Sequence, residues 1–189
     1  MSNHPAGPGA ATPDALAAAG AALDRLTRVQ ADFPIPGVLF RDLTPVLADR
    51  DALAALAHAL AGAQPDIDLV AGLESRGFLL AAAVAMVLDT GVLAVRKPGK
   101  LPGDILSEEY ALEYGSARLE IHPHDVPDRA RVLVVDDVLA TGGTAGAACR
   151  LVRRAGGIPA GVAVAVELTA FPGRRALGDV PVLALRSWA

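Results

Sequence analysis

At 189 residues, with a formal net charge of −4 and 52% hydrophobic residues, the chain is long enough for one domain with a substantial core. The mildly acidic balance, without a basic stripe, argues against nucleic-acid binding through phosphates. A single cysteine, Cys149, cannot staple a fold; it suits a reducing cytoplasm and reads as a small buried apolar residue. The N-terminus has no secretory pattern, and the most apolar run, Gly77 to Leu88, is too short to span a bilayer.

Residues 1–12 are Ala, Gly and Pro with almost nothing to bury and read as a disordered tail, leaving residues 13–189 as one domain. Pro13-Asp14 is expected to open a helix running to about Gln30, with Leu16, Leu23, Leu26 and Val29 on one face. Val38 to Thr44 is a short strand or turn, and on these residues alone Phe40 reads as an ordinary core aromatic. Asp49 to about Gly62 suits a helix with Leu53, Leu56 and Leu60 inward.

Asp68 to Leu73 reads as a buried strand, followed by Glu74-Ser75-Arg76-Gly77 and an apolar helix, Phe78 to Leu88. Arg76 at a helix N-terminus offers a planar fork to phosphate oxygens; the alternative is a capping turn with a solvated Arg. The next strand, Gly91 to Val95, runs into a Gly- and Pro-rich loop carrying Arg96, Lys97 and Lys100. That composition favours mobility, and taken alone its cations read as a solvated face. Glu108 to Gly115 and Ala117 to Ile121 alternate, which predicts an antiparallel hairpin projecting from the sheet. His122 and His124 have no further ligands nearby and read as a solvated turn.

Arg131 to Val135 is a continuous aliphatic run, as in a strand buried on both faces of a parallel sheet. Asp136-Asp137 follow, then Ala140-Thr141-Gly142-Gly143-Thr144 and an alanine-rich helix from Ala145 to Ala155, with Arg153-Arg154 as its solvated C-terminus. Pro159 to Thr169 and Val180 to Trp188 supply the last strands, with Trp188 expected in packing. The whole is an α/β domain: a parallel β-sheet flanked by helices, with a ligand crevice at the strand C-terminal ends.

The turn at Ala140–Thr144 makes a phosphate cradle. Its glycines admit an anion close to the backbone, and the helix N-terminus aims N–H groups at it. A nucleoside-triphosphate loop would need a Lys after the last glycine, and there is none. Two carboxylates beside a monophosphate suit a ligand that also offers hydroxyls or brings a divalent cation. A ribose 5-phosphate does both.

Four apolar residues, two acids and Thr-Gly-Gly-Thr resemble the phosphoribosyl-pyrophosphate loop of the type I phosphoribosyltransferases. Pro36 to Asp42, Gly72 to Phe78, Arg96 to Pro102 and Leu112-Glu113-Tyr114-Gly115 extend the resemblance from about Phe33 to Thr169, and narrow it to the adenine branch of that family. The resemblance implies a hood from about residue 13 to 46, a mobile hairpin, a homodimer, and the reaction of adenine with phosphoribosyl pyrophosphate to give AMP and pyrophosphate. It implies Mg²⁺ held mainly by the substrate rather than directly by protein ligands. Asp136 and Asp137 would take the ribose hydroxyls and Ala140 to Thr144 the 5′-phosphate. Glu74, Ser75, Arg76 and Gly77 would take pyrophosphate, aided by Arg96, Lys97 and Lys100. Phe40 would stack on adenine while backbone groups of Leu39 and Arg41 read its edge, and Glu113 would serve as acid–base group. The alternative for Glu113 is a plain solvated carboxylate. Glu74 stands where relatives also carry Asp, and Glu108-Glu109 place negative charge beside the closing hairpin. The rival readings are an enzyme for xanthine or hypoxanthine/guanine, and a nucleic-acid-binding regulator, for which no basic helix-turn-helix module is visible.

Overall fold

The computed structural model describes every residue except 1–10, 34, 38 and 112–114. Helix α1 (Pro13–Leu26) leads into a two-stranded ribbon, β1 (Arg28–Ala31) and β2 (Leu39–Asp42), then α2 (Thr44–Ala48) and α3 (Arg50–Ala61). A crossover follows through β3 (Leu69–Leu73), α4 (Arg76–Leu88) and β4 (Gly91–Val95), then a hairpin of β5 (Leu106–Ala111) and β6 (Ser116–Ile121). The chain finishes with β7 (Arg131–Leu139), α5 (Gly143–Arg154), β8 (Ile158–Leu168), α6 (Gly173–Leu177) and β9 (Val182–Trp188).

Five of these strands form one parallel sheet in the order β4-β3-β7-β8-β9. From β3 the chain moves outward to β4, and from β7 it moves the other way to β8 and β9, so the strand order reverses between β3 and β7. Ligands bind at such a switch point, outside the strand C-terminal ends. The helices cover opposite faces. Along β7, Leu133 and Val135 enter a core shared with α1, α3 and α4, while Val132 and Val134 enter one shared with α5 and β6. Strand alternation thus explains why this run is apolar without interruption.

Several expectations need correction. The first helix stops at Leu26, not Gln30: Thr27 is already extended, and Arg28–Ala31 pair with Leu39–Asp42, leaving Val29 55% exposed. β-Branched Thr27 and Val29 favour that pairing over a further helical turn. The expected disordered tail falls on residues outside the description except Ala11 and Thr12, which are tied down. Ala11 N donates to Gly62 O, and Thr12 caps α1 by accepting from Ala15 N at 3.2 Å. Within the expected hood, residues 13–46, helix α1 packs into the main core and the β1–β2 ribbon forms a separate two-stranded sheet. Helix α2, started by Pro45, was not anticipated. Arg154 is not a solvated cap: its Nη1 donates to Glu108 Oε2 at 2.8 Å and Ser107 O at 2.7 Å.

Candidate active site

The switch point is built by unequal strand lengths. Pairing between β3 and β7 ends at Gly72 and Val135, and β7 runs on to Leu139. Asp136 and Asp137 therefore emerge against the Glu74–Gly77 loop that follows β3. The approach is close: a Cβ on Gly77 would lie 2.9 Å from both Asp136 Oδ1 and Val135 O, so no larger residue fits there. This seating brings Arg76 Nε to 2.5 Å from Asp137 Oδ2.

Asp137 is buried, and its Oδ2 is paired with the Arg76 guanidinium. Asp136 Oδ1 accepts from the Asp137 N–H at 2.9 Å. Burial, and after it the neighbouring charge of Asp137, push the Asp136 carboxyl well above the usual aspartate range. Two adjacent acidic side chains at a strand end suit a ligand that brings hydroxyl donors or a hard cation.

Beyond the acids, Ala140, Thr141, Gly142 and Thr144 line a small cavity of about 90 Å³ with Asp136 at its other side. Gly142 has φ +81° at the start of α5, and a Cβ there would meet Gly173 O at 2.4 Å. Helix α6 is thus seated on the loop. Its Arg174 grips the buried carboxylate of Glu167 through Nε and Nη2 at 2.8 Å.

A larger cavity of about 440 Å³ adjoins the acids on the β8–β9 side, lined by Leu39, Phe40, Arg41, Arg76, Leu168 and Trp188 among others. Its volume and apolar walls suit a flat heterocycle. Phe40 is half-exposed here rather than in the core, with Phe33 edge-on at 5.1 Å between ring centroids. The Arg41 guanidinium lies 4.7 Å from the Trp188 ring centroid, and its Nη2 donates to Ala189 O at 3.4 Å. Trp188, expected only in packing, is therefore a pocket wall. Leu168, Phe171 and Val138 also line it, and no sequence signal marked them.

The cationic loop is held by acids. Glu74 Oε2 accepts from Lys97 N at 2.9 Å and Arg96 Nε at 3.2 Å; these contacts, the Lys97 amide first, keep the Glu74 carboxyl below its ordinary range. Buried Glu120 accepts from Gly99 N at 3.0 Å. Glu74 thus faces the loop, Arg96 also lies over the Phe78 ring, and Lys97 and Lys100 are exposed. Ser75 is exposed beside Arg76. Glu108 is not loose negative charge: Arg150 Nε donates to its Oε1 at 2.7 Å, opposite the Arg154 contact. Glu113 lies outside the described residues.

A phosphate cradle, paired acids facing it and an apolar slot beside them, at the switch point of a parallel sheet, define a protein that handles a phosphorylated ribose attached to, or awaiting, a ring base. A phosphoribosyl transferase domain matches residues 43–176. The chain is 58% identical over 161 residues to the adenine phosphoribosyltransferase of Mycobacterium tuberculosis (85% of this chain, 76% of that protein). To the adenine phosphoribosyltransferase of Mycobacterium marinum it is 55% identical over 164 residues (86% and 89%). The crystal structure of adenine phosphoribosyltransferase from Thermoanaerobacter pseudethanolicus superposes with a TM-score of 0.85 at 42% identity, covering 89% of this chain and 99% of that one. The Saccharomyces cerevisiae enzyme, complexed with adenine and an imino-altritol bisphosphate, gives 0.84 at 35% identity, covering 89% and 99%. The chain belongs to the phosphoribosyltransferase family and, within it, to the adenine phosphoribosyltransferases.

Proposed function

We propose that this enzyme transfers the 5-phosphoribosyl group from phosphoribosyl pyrophosphate to adenine, giving AMP and pyrophosphate in purine salvage. The observation that carries the reading is the contact of Arg76, which lines the apolar slot, with Asp137, whose neighbour Asp136 lines the small cavity at the Ala140–Thr144 turn.

In this reading the 5′-phosphate lies in the Ala140–Thr144 turn, bound by backbone N–H groups and the two threonine hydroxyls. Asp136 and Asp137 accept from the ribose hydroxyls and stand on the favourable side of the positive charge that develops as the bond at C1 breaks. Ser75, Arg76 and Gly77 receive the departing pyrophosphate. Glu74 acts on it through the loop it holds, which carries Arg96, Lys97 and Lys100. Adenine stacks on Phe40 with Leu168 in the same slot, and backbone groups of Leu39 and Arg41 read its edge. Glu113 moves the proton that the purine's imidazole ring must shed as N9 attacks.

Mg²⁺ fits the acid pair. The Asp136 and Asp137 side chains put hard oxygen atoms beside the phosphate cradle. The ion would be held mainly by oxygens of the substrate, with these acids close to it. Bound Mg²⁺ supplies charge neutralisation to the leaving pyrophosphate.

A homodimer is supported by the outer face of α4 and the adjacent edge strand β4, where the apolar side chains of Leu79, Met86 and Val92 are exposed. A cytoplasmic setting is supported by the lone thiol, Cys149, which burial pushes up to about 11, so that it stays protonated and inert. Among the described residues no helix is long and apolar enough to cross a membrane.

The deciding experiment is incubation with phosphoribosyl pyrophosphate, Mg²⁺ and a panel of nucleobases, assayed for nucleotide formation. Adenine is expected to turn over at least ~10²-fold faster than hypoxanthine, since a site accepting from an amine leaves buried groups unpaired against an oxygen. Comparable rates for the two bases would remove the adenine assignment.

A further inference from the structure

The hairpin meets the phosphate cradle at one point that the reaction scheme leaves unused. Strand alternation places Leu106, Glu108 and Tyr110 on one face of β5, and that face is turned to α5. Glu108 is held there by Arg150 and Arg154, and the Tyr110 ring packs on the core that α5 shares with β7. So anchored, the Tyr110 hydroxyl reaches the first turn of α5, where Thr144 Oγ1 donates to it at 3.3 Å. Thr144 lines the phosphate cavity and Tyr110 does not, so the tyrosine stands behind the threonine, away from the anion.

We propose that Tyr110 is a positioning residue for the 5′-phosphate: its hydroxyl, backing Thr144 from the hairpin, aims the Thr144 hydroxyl into the cradle and so couples hairpin placement to phosphate binding. A hydroxyl carries one donor and two acceptor lone pairs. Without phosphate, Thr144 spends its proton on Tyr110. When a phosphate oxygen takes that proton as a hydrogen-bond acceptor, the pair reverses: Tyr110 O–H donates to Thr144 Oγ1, and Thr144 O–H donates to the phosphate. No proton leaves either oxygen, and each bond of the resulting chain polarises the next.

The inference rests on the reading of Ala140–Thr144 as the 5′-phosphate site, and its test separates the two. Tyr110→Phe keeps the ring and its packing while deleting the hydroxyl. It is expected to raise the Kd for ribose 5-phosphate and the KM for phosphoribosyl pyrophosphate about fivefold, the scale of one neutral hydrogen bond. The KM for adenine and the thermal midpoint should stay at parent values. Thr144→Val should weaken binding at least as much, and adding Tyr110→Phe to it should cost nothing more, because the two act as one unit. Parent-like ribose 5-phosphate binding by Tyr110→Phe, or fully additive losses in the double variant, overturns the coupling alone. Absence of saturable ribose 5-phosphate binding by the parent overturns the cradle reading and the coupling with it.

Discussion

Arg76, the first residue of α4, and Asp137, on β7, meet where β7 outruns β3, with Nε 2.5 Å from Oδ2 and Arg76 lining the adjoining apolar slot. Under the proposed function the pair joins the cation assigned to pyrophosphate to an acid assigned to ribose. Asp137→Asn removes the charge while keeping the shape, and it leaves Arg76 without its counter-ion. A loss on the order of 10²-fold in kcat/KM is expected, read by steady-state kinetics, with the larger share in the ribosyl substrate. Undiminished activity in this variant would discredit the roles given to the central loop.

Asp136 gives the site a pH dependence with a defined sign. Its carboxyl is raised by burial and by the charge of Asp137, so the free enzyme keeps a proton there at pH values where an ordinary aspartate, near ~3.9, has lost it. Ribose hydroxyls need the carboxylate as acceptor, so binding must expel that proton. Affinity for ribose 5-phosphate should therefore rise with pH up to the free-state pKa and level off above it. For folding the sign is opposite: the native state binds the extra proton, so this group's contribution to stability falls as pH rises from the unfolded to the folded pKa. Calorimetric titration in two buffers of different ionisation enthalpy should detect proton release on binding, and Asp136→Asn should abolish it.

Glu113 is assigned to proton transfer, which predicts a split between turnover and binding. Glu113→Gln should lower kcat by about 10²-fold or more while leaving the KM values close to the parent's, as general acid–base groups typically contribute. A kcat within about threefold of the parent would move the role to another residue.

The exposed apolar face of α4 carries the dimer proposal. Met86 is 82% exposed in the last turn of α4, with Leu79 two turns earlier on the same face at 57%. In a two-fold interface each substituted residue appears twice, so Met86→Glu places like charges in a desolvated patch. Light scattering is expected to report a dimer for the parent and a monomer for the variant, with an unchanged circular dichroism spectrum. A parent that runs as a monomer at all concentrations would end the proposal.

The local chemistry was legible in the chain because it depends on neighbours in sequence. An uninterrupted aliphatic run, two acids and a glycine turn before a helix determine a buried strand and a glycine turn at a helix N-terminus whatever surrounds them. The order of strands and helices likewise determined a parallel sheet with its crevice at the strand ends. What the tertiary structure alone decided are relationships between distant segments. Phe40 alone reads as a core residue, and only the β1–β2 ribbon turns it to the slot. Trp188 becomes a pocket wall because Arg41, far back in the chain, stacks on its ring. Glu108 reads as loose negative charge and Arg154 as a solvated helix end, since neither shows its partner until β5 is laid along α5. Val29 fell on a helical stripe by spacing, yet strand pairing with β2, absent from any local window, took it out of the helix. Periodicity records which side of an element faces inward; it carries no information about which other element will be there.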